Sequence, residues 1–180
     1  MTDIAGLSAW QPKFKEWIDF AVPLFQQGKP QDAFGKYPWF TTEGEPFARL
    51  GKPASEARFA LVTTGGYTVE GEHEPFTGAP DFSDAAPSIH WIHTGADRSK
   101  LSIHHHGYDH RFAEEDINVN LPFDRLQELV DSGEIGSLSP DTAVLMGLIP
   151  NVGPLLDQTI PEIVARFGAD AVDAVLLVPS

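Results

Sequence analysis

Apolar residues recur along this chain in different rhythms, and each rhythm predicts a different element. Trp10, Phe14, Trp17, Ile18 and Phe20 fall at near-helical spacing, which predicts a short amphipathic helix over 12–26 stopped by Gly28-Lys29-Pro30. Phe34, Tyr37, Trp39, Phe40 and Phe47 follow without a period, interleaved with glycine and proline. Aromatics this dense in a non-repeating stretch are expected to pack on the body of the protein or on a second subunit, because exposed they would invite aggregation. Residues 1–57 therefore read as an N-terminal helix and aromatic arm, and residues 58–180 as a separate α/β unit.

From residue 58 the rhythm changes to short continuous apolar runs. Arg58 to Thr63 reads as a buried strand that runs into Thr64-Gly65-Gly66. Glycines at the carboxyl end of a strand either make a tight turn or let a ligand approach the backbone, and both readings stand. The next thirty residues show no period and are rich in proline, glycine and acidic residues, the pattern of a long functional or mobile loop. Lys100 to Ile103 predicts a second strand. Pro122 to Val130 predicts a helix with proline in its first turn and Gly133 at its end. Thr142 to Ile149 predicts a third strand, and Thr159-Ile160-Pro161-Glu162 a capping box that opens a helix ending at Gly168. The apolar run from Ala171 to Val178 predicts a last strand. This alternation gives the expected fold class: α/β, a single domain, a mainly parallel sheet with flanking helices (flavodoxin- or Rossmann-like), plus the aromatic arm.

Composition narrows the function. The 180 residues suffice for one domain with a real core. No apolar stretch reaches the roughly 18 residues that span a membrane, and Met1-Thr2-Asp3-Ile4 lacks the basic start of a signal peptide. The expected location is the cytoplasm. A formal charge of −14 excludes nucleic acid as partner, since phosphates require a basic face. The absence of cysteine removes thiol nucleophiles and thiolate metal ligands. Chemistry must then come from His, Asp, Glu, Ser, Tyr, a metal, or a residue lent by another chain.

Six of the seven histidines lie between His90 and His110. If 104–106 is extended, His104 and His106 point to one face and His105 to the other, so three adjacent imidazoles cannot share one metal. A divalent metal held by His90, His105 and His110 with a carboxylate such as Asp109 or Asp116 is one expectation. The spacing matches no standard zinc motif, and a polar loop with one acid–base histidine is the other reading. Beyond it, Asp116, Asn118 and Asn120 alternate with Ile117, Val119 and Leu121. That alternation places three polar side chains on one face, either to orient a ligand or to meet solvent.

Several segments together resemble a known family. They are His105-x-Gly107-Tyr108-Asp109, Glu115-Asp116-Ile117-Asn118, Pro122-x-Asp124-Arg125-Leu126-x-Glu128-Leu129 and Gly133-Glu134-Ile135-Gly136. Thr63-Thr64-Gly65-Gly66, Pro87-Ser88, Met146-Gly147 and Val172-Asp173-Ala174-Val175 add to them. In order and spacing they resemble the glycine/sarcosine/betaine/D-proline reductase selenoprotein B family, most of all its small D-proline reductase subunit, from about residue 58 to Ser180. The resemblance implies an α/β fold and reductive cleavage of a C–N bond in a small amine or amino-acid-like substrate, with a reductase partner subunit and a homo-oligomer expected. It implies His105 as general acid or base, with Asp109 fixing its tautomer and Asp116 and Asn118 orienting substrate. Thr64, Gly65, Gly66, Tyr108, Arg125 and Gly147 complete the expected substrate-binding set.

The chain departs from the family where Leu176-Leu177-Val178-Pro179-Ser180 ends, at about the position of the family's selenocysteine or cysteine segment. A short paralogue that left the redox chemistry, a product stopped at a selenocysteine codon, and a chain that borrows its redox residue are three accounts of this. His90, His93, His104 and His106 stand where other residues are expected in the family, which favours the first. Three functions follow as expectations: a reductase B-type subunit, a metal-dependent enzyme built on the His90–His110 cluster, and a non-catalytic binding or assembly subunit.

Overall fold

The structure is a computed structural model that describes residues 4, 6–42, 44, 48–76, 82, 84–105 and 107–180. Helix α1 (Leu7–Gln26) and the short α2 (Pro30–Phe34) precede strand β1 (Arg58–Thr63). Then come β2 (Tyr67–Val69), β3 (His90–His93), β4 (Leu101–Ile103), α3 (Arg111–Glu115) and α4 (Phe123–Asp131). The chain continues through β5 (Ser137–Leu138), β6 (Asp141–Val144), α5 (Val152–Pro154), α6 (Ile160–Ala169) and β7 (Ala174–Val178).

β1 is the centre of the main sheet. One edge pairs along its whole length with β7, in parallel, from Phe59↔Ala174 to Thr63↔Val178. The other edge takes β5 at its start (Arg58↔Ser137) and β6 at its end (Val62↔Ala143), both parallel. β3 closes the far side, antiparallel to β6. The parallel arrangement read from the apolar runs is therefore present, with one antiparallel strand added. Apolar side chains fill both faces: Leu61, Ile92 and Val144 pack with Leu121, Phe123 and Leu126 on one, and Ala60, Ala143 and Leu145 with Ile163 and Phe167 of α6 on the other.

Several predicted elements differ in detail, and the last strand begins at Ala174, three residues later than the apolar run predicts. The run 100–103 does form a strand, but β4 pairs antiparallel with β2 in a separate two-stranded sheet. The predicted strand over Thr142–Ile149 ends at Val144, because Leu145-Met146-Gly147 turns off to bond the loop after β1, and Leu148 takes a positive φ of 65°. The capping box at Thr159 is not formed. Thr159 is itself helical, and its hydroxyl donates to the Pro87 carbonyl at 3.2 Å. The helix instead runs on from α5 through a widened π turn at Leu155–Thr159. Pro161 cannot donate to the carbonyl four residues back, and the wide turn lies just before it.

The N-terminal arm packs on this body. Leu7, Trp10, Phe14, Trp17 and Ala21 form one buried stripe of α1, five residues longer at its start than the spacing predicts. Burying a large apolar side chain contributes roughly 1.5–3 kcal/mol, so the stripe offsets interior prolines at 12 and 23 that cost about 3 kcal/mol each. Phe82, Val152 and Leu156 pack against the stripe, and the Tyr37 hydroxyl donates to the Pro150 carbonyl at 2.8 Å. Phe47 lies outside the described residues. Among the described residues no helix is long and apolar enough to cross a membrane.

Candidate functional site

Parallel strands deliver their carboxyl ends to one edge of the sheet, and ligands of such sheets bind in crevices there. In this chain the loops after β1, β6 and β7 are laced together at that edge. Thr64 N–H bonds the Val178 carbonyl at 3.2 Å, and Gly147 N–H bonds the Thr64 carbonyl at 2.9 Å. Gly66 N–H bonds the Leu145 carbonyl at 2.9 Å, and Ser180 N–H reaches the Thr64 hydroxyl, also at 2.9 Å. The two-stranded sheet of β2 and β4 then brings the histidine stretch to the same place, with His104 N–H on the Gly66 carbonyl at 2.8 Å.

His105 is seated in a socket lined by three glycines and is only 3% exposed. A Cβ on Gly66 would stand 2.9 Å from the His105 Cβ. One on Gly107 would stand 2.7 Å from its Cε1, and one on Gly147 would stand 2.7 Å from its Nε2. A larger residue at Gly107 or Gly147 would displace the ring, and one at Gly66 would also press on the His104 backbone, 3.0 Å away. Gly66 also has a φ of 68°, which glycine adopts without strain. The glycines read as turn residues or ligand-approach points thus have a third use: they admit a histidine to the end of the sheet.

The tautomer of His105 is set by the backbone. Gly107 N–H donates to its Nδ1 at 2.9 Å, so the neutral ring carries its proton on Nε2, the atom that faces Gly147. Asp109, expected in that role, directs both carboxylate oxygens at Arg111, with contacts of 2.5–2.9 Å. The Arg111 hydrogen bonds hold its carboxyl below the usual range. Tyr108 lies edge-on between His105 and His110, with ring centroids 4.9 and 4.5 Å away. Its hydroxyl donates to the Gly65 carbonyl at 3.2 Å, and burial raises its pKa.

The other expected residues lie elsewhere. Asp116 is not on a strand: it caps a 3₁₀ turn (Ile117–Val119) and accepts the backbone and side-chain N–H groups of Asn118, each at 2.9 Å. The Asn118 side-chain oxygen Oδ1 in turn accepts the N–H of Asp124 at 3.0 Å, capping α4, whose first residue follows a proline with no side-chain cap. Hydrogen bonds from Asn118 lower the pKa of both Asp116 and Asp124. Arg125 pairs with Glu128 at 3.0 Å on the surface of α4. Period-two polarity in 116–120 therefore arises from an Asx-type turn and a helix cap.

The histidines divide into separate groups. His90 stacks on Phe76 and on His73, with centroids 3.9 and 4.7 Å apart, and burial followed by the His73 charge lowers its pKa. His73, the one histidine outside the 90–110 run, is thereby drawn in by a loop that shows no period in the sequence. His93 accepts from Gly95 N–H at 3.0 Å at the exposed end of β3. His104 meets the Ser102 hydroxyl at 3.0 Å, and His110 Nδ1 lies 3.9 Å from Glu114. His106 lies outside the described residues. Among the described residues no three His, Asp or Glu side chains are grouped to hold a metal ion, so the proposed His90, His105 and His110 set is not brought together.

Compared with known proteins, the chain matches the family model of glycine/sarcosine/betaine reductase selenoprotein B over residues 42–180. The match begins ahead of β1 and leaves α1 and α2 outside it. No curated protein and no solved structure gives a match.

Proposed function

Because this chain belongs to the glycine/sarcosine/betaine reductase selenoprotein B family, we propose that it is a reductase-type subunit that binds a small amine or amino-acid-like substrate against His105. The glycine socket at the carboxyl ends of β1 and β6 is the observation that carries this reading. A packed core has no need of a histidine enclosed by three glycines, whereas a site needs a ring held in one orientation.

In this proposal the substrate lies over Thr64, Gly65, Gly66 and Gly147, with Tyr108 fixing the ring from the side. Reductive cleavage of a C–N bond consumes two electrons and two protons and leaves one new C–H and one new N–H bond. A selenolate or thiolate displaces the nitrogen, so that a C–Se or C–S bond forms as the C–N bond breaks. A second thiol then releases the carbon with a proton and leaves a selenenylsulfide or disulfide, and this pair is the reductant. No cysteine is present in these 180 residues, so a partner subunit or a further segment supplies it. His105 Nε2–H donates a hydrogen bond to the substrate carboxylate, which holds the C–N bond in one orientation for attack. Asp116, Asn118 and Arg125 act at one remove, by holding the start of α4.

Calorimetric titration with glycine, sarcosine, betaine and proline tests this on wild type, His105→Gln and His105→Phe. The Gln variant keeps an N–H donor, and its affinity is expected to stay within about tenfold of wild type. The Phe variant fills the space without a donor and should lose roughly 10–100-fold, the worth of one buried hydrogen bond to a polar ligand. Equal binding by wild type and the Phe variant would refute the role of His105.

A further inference from the structure

β7 ends the sheet on one side, yet it has the composition of a strand buried in the middle of one. Its sequence, Ala174-Val175-Leu176-Leu177-Val178, carries no charge, glycine or proline. Among the described residues it pairs only with β1. Val175 and Leu177 share the face of Ala60 and Val62, and Leu176 the face of Leu61, by register. They are 44, 69 and 39% exposed, so apolar surface is left open on both faces. Natural edge strands are blunted by charges, prolines or bulges, and none interrupts this one.

We propose that the free edge of β7 pairs antiparallel with β7 of a second copy of this chain, making one continuous sheet across a two-fold axis at Leu176. The backbone phase fits. The Val178 carbonyl accepts from Thr64 on the β1 side, so by alternation Ala174, Leu176 and Val178 turn their backbone groups inward and Val175 and Leu177 turn theirs outward. Across the axis, Val175 faces Leu177 of the second copy, and the two exchange N–H and C=O groups. Leu176 meets its own counterpart at the closer, non-hydrogen-bonded position, and Ala174 faces Val178.

The charges fit as well. The nearest acidic residue, Asp173, would face Pro179 of the other copy, and it is already bound to Lys52 at 2.9 Å and to Arg58 N–H at 2.8 Å. No like charges are set opposite each other, although each copy carries −14 overall. That long-range repulsion is screened by salt, so pairing strengthens as ionic strength rises. An isologous strand pair of this kind closes after two copies.

Sedimentation equilibrium of the full chain over a dilution series, at low and high salt, reads this directly. Wild type is expected at twice the 19.7 kDa chain mass, with dissociation on dilution and tighter pairing in high salt. Leu177→Lys sets a charge beside the axis, and Val175→Pro removes an outward N–H that β1 does not use. Both should sediment as monomers with wild-type circular dichroism, whereas Trp39→Ala should remain dimeric. A wild type that stays monomeric throughout overturns the proposal and leaves this edge to a different chain or segment. A dimer that survives both β7 variants overturns it too, and loss of the dimer in Trp39→Ala would move the interface to the aromatic arm.

Discussion

Gly147→Ala is the sharpest probe of the His105 socket. The added methyl would stand 2.7 Å from His105 Nε2, 3.3 Å from the Thr64 carbonyl and 3.4 Å from the Ser180 carbonyl. Only the first contact is severe, and the φ of Gly147 is an ordinary one, so the cost arises from displacing the imidazole. Overpacking of this kind costs about 1–3 kcal/mol, which for a chain of this length lowers Tm by roughly 2–12 °C. Gly168→Ala is the control: nothing lies within 4 Å of that Cβ, and in a helix alanine should add about 0.5–1 kcal/mol. Urea unfolding of Gly147→Ala, His105→Ala and the double variant then isolates the contact. If the clash is with the ring, the double variant should be more stable than additivity predicts by about 1–3 kcal/mol. Strictly additive costs, or a Gly147→Ala protein as stable as wild type, would refute the socket.

Two further outcomes are expected. Asn118→Ala removes the side-chain cap of α4 and should cost about 1 kcal/mol by chemical denaturation. Asn118→Asp should not restore it, because it places a third carboxylate between Asp116 and Asp124. For His90, burial and His73 lower the folded pKa below the ordinary 6.5. The unfolded chain therefore binds its proton first, and the stabilisation present above pH 6.5 is lost as pH falls from there through the lowered folded value. Tm measured against pH should fall more steeply below pH 6.5 in wild type than in His90→Phe, which keeps the stack on Phe76. Parallel curves would remove His90 from the account.

What could be read from the sequence depended on whether neighbours along the chain decide the outcome. α1, α4 and β1 show their periods because each buries a continuous face, and β7 shows as an unbroken apolar run although it is largely exposed. β2 and β3 are only three and four residues long and sit within a stretch rich in glycine and proline, so no window holds a period. The capping box at Thr159 was overridden by tertiary structure, since the hydroxyl found the Pro87 carbonyl while the helix ran straight through. In the site, His105 and the glycine loops stand out by residue type and place. That Gly107 N–H and not Asp109 occupies Nδ1 is a matter of a two-residue backbone turn, invisible to spacing. His73 meets His90 only through the stacking of one loop on β3.

The docking of the aromatic arm has a consequence for how the protein is made. The Trp10, Phe14 and Trp17 stripe is synthesised well over a hundred residues before Val152 and Leu156, which pack against it. The Tyr37–Pro150 hydrogen bond likewise spans 113 residues. At typical translation rates the wait is on the order of 10 s. For that interval the nascent chain carries an uncovered aromatic stripe, and its yield in the cell should depend on holdase chaperones more than its finished stability would indicate.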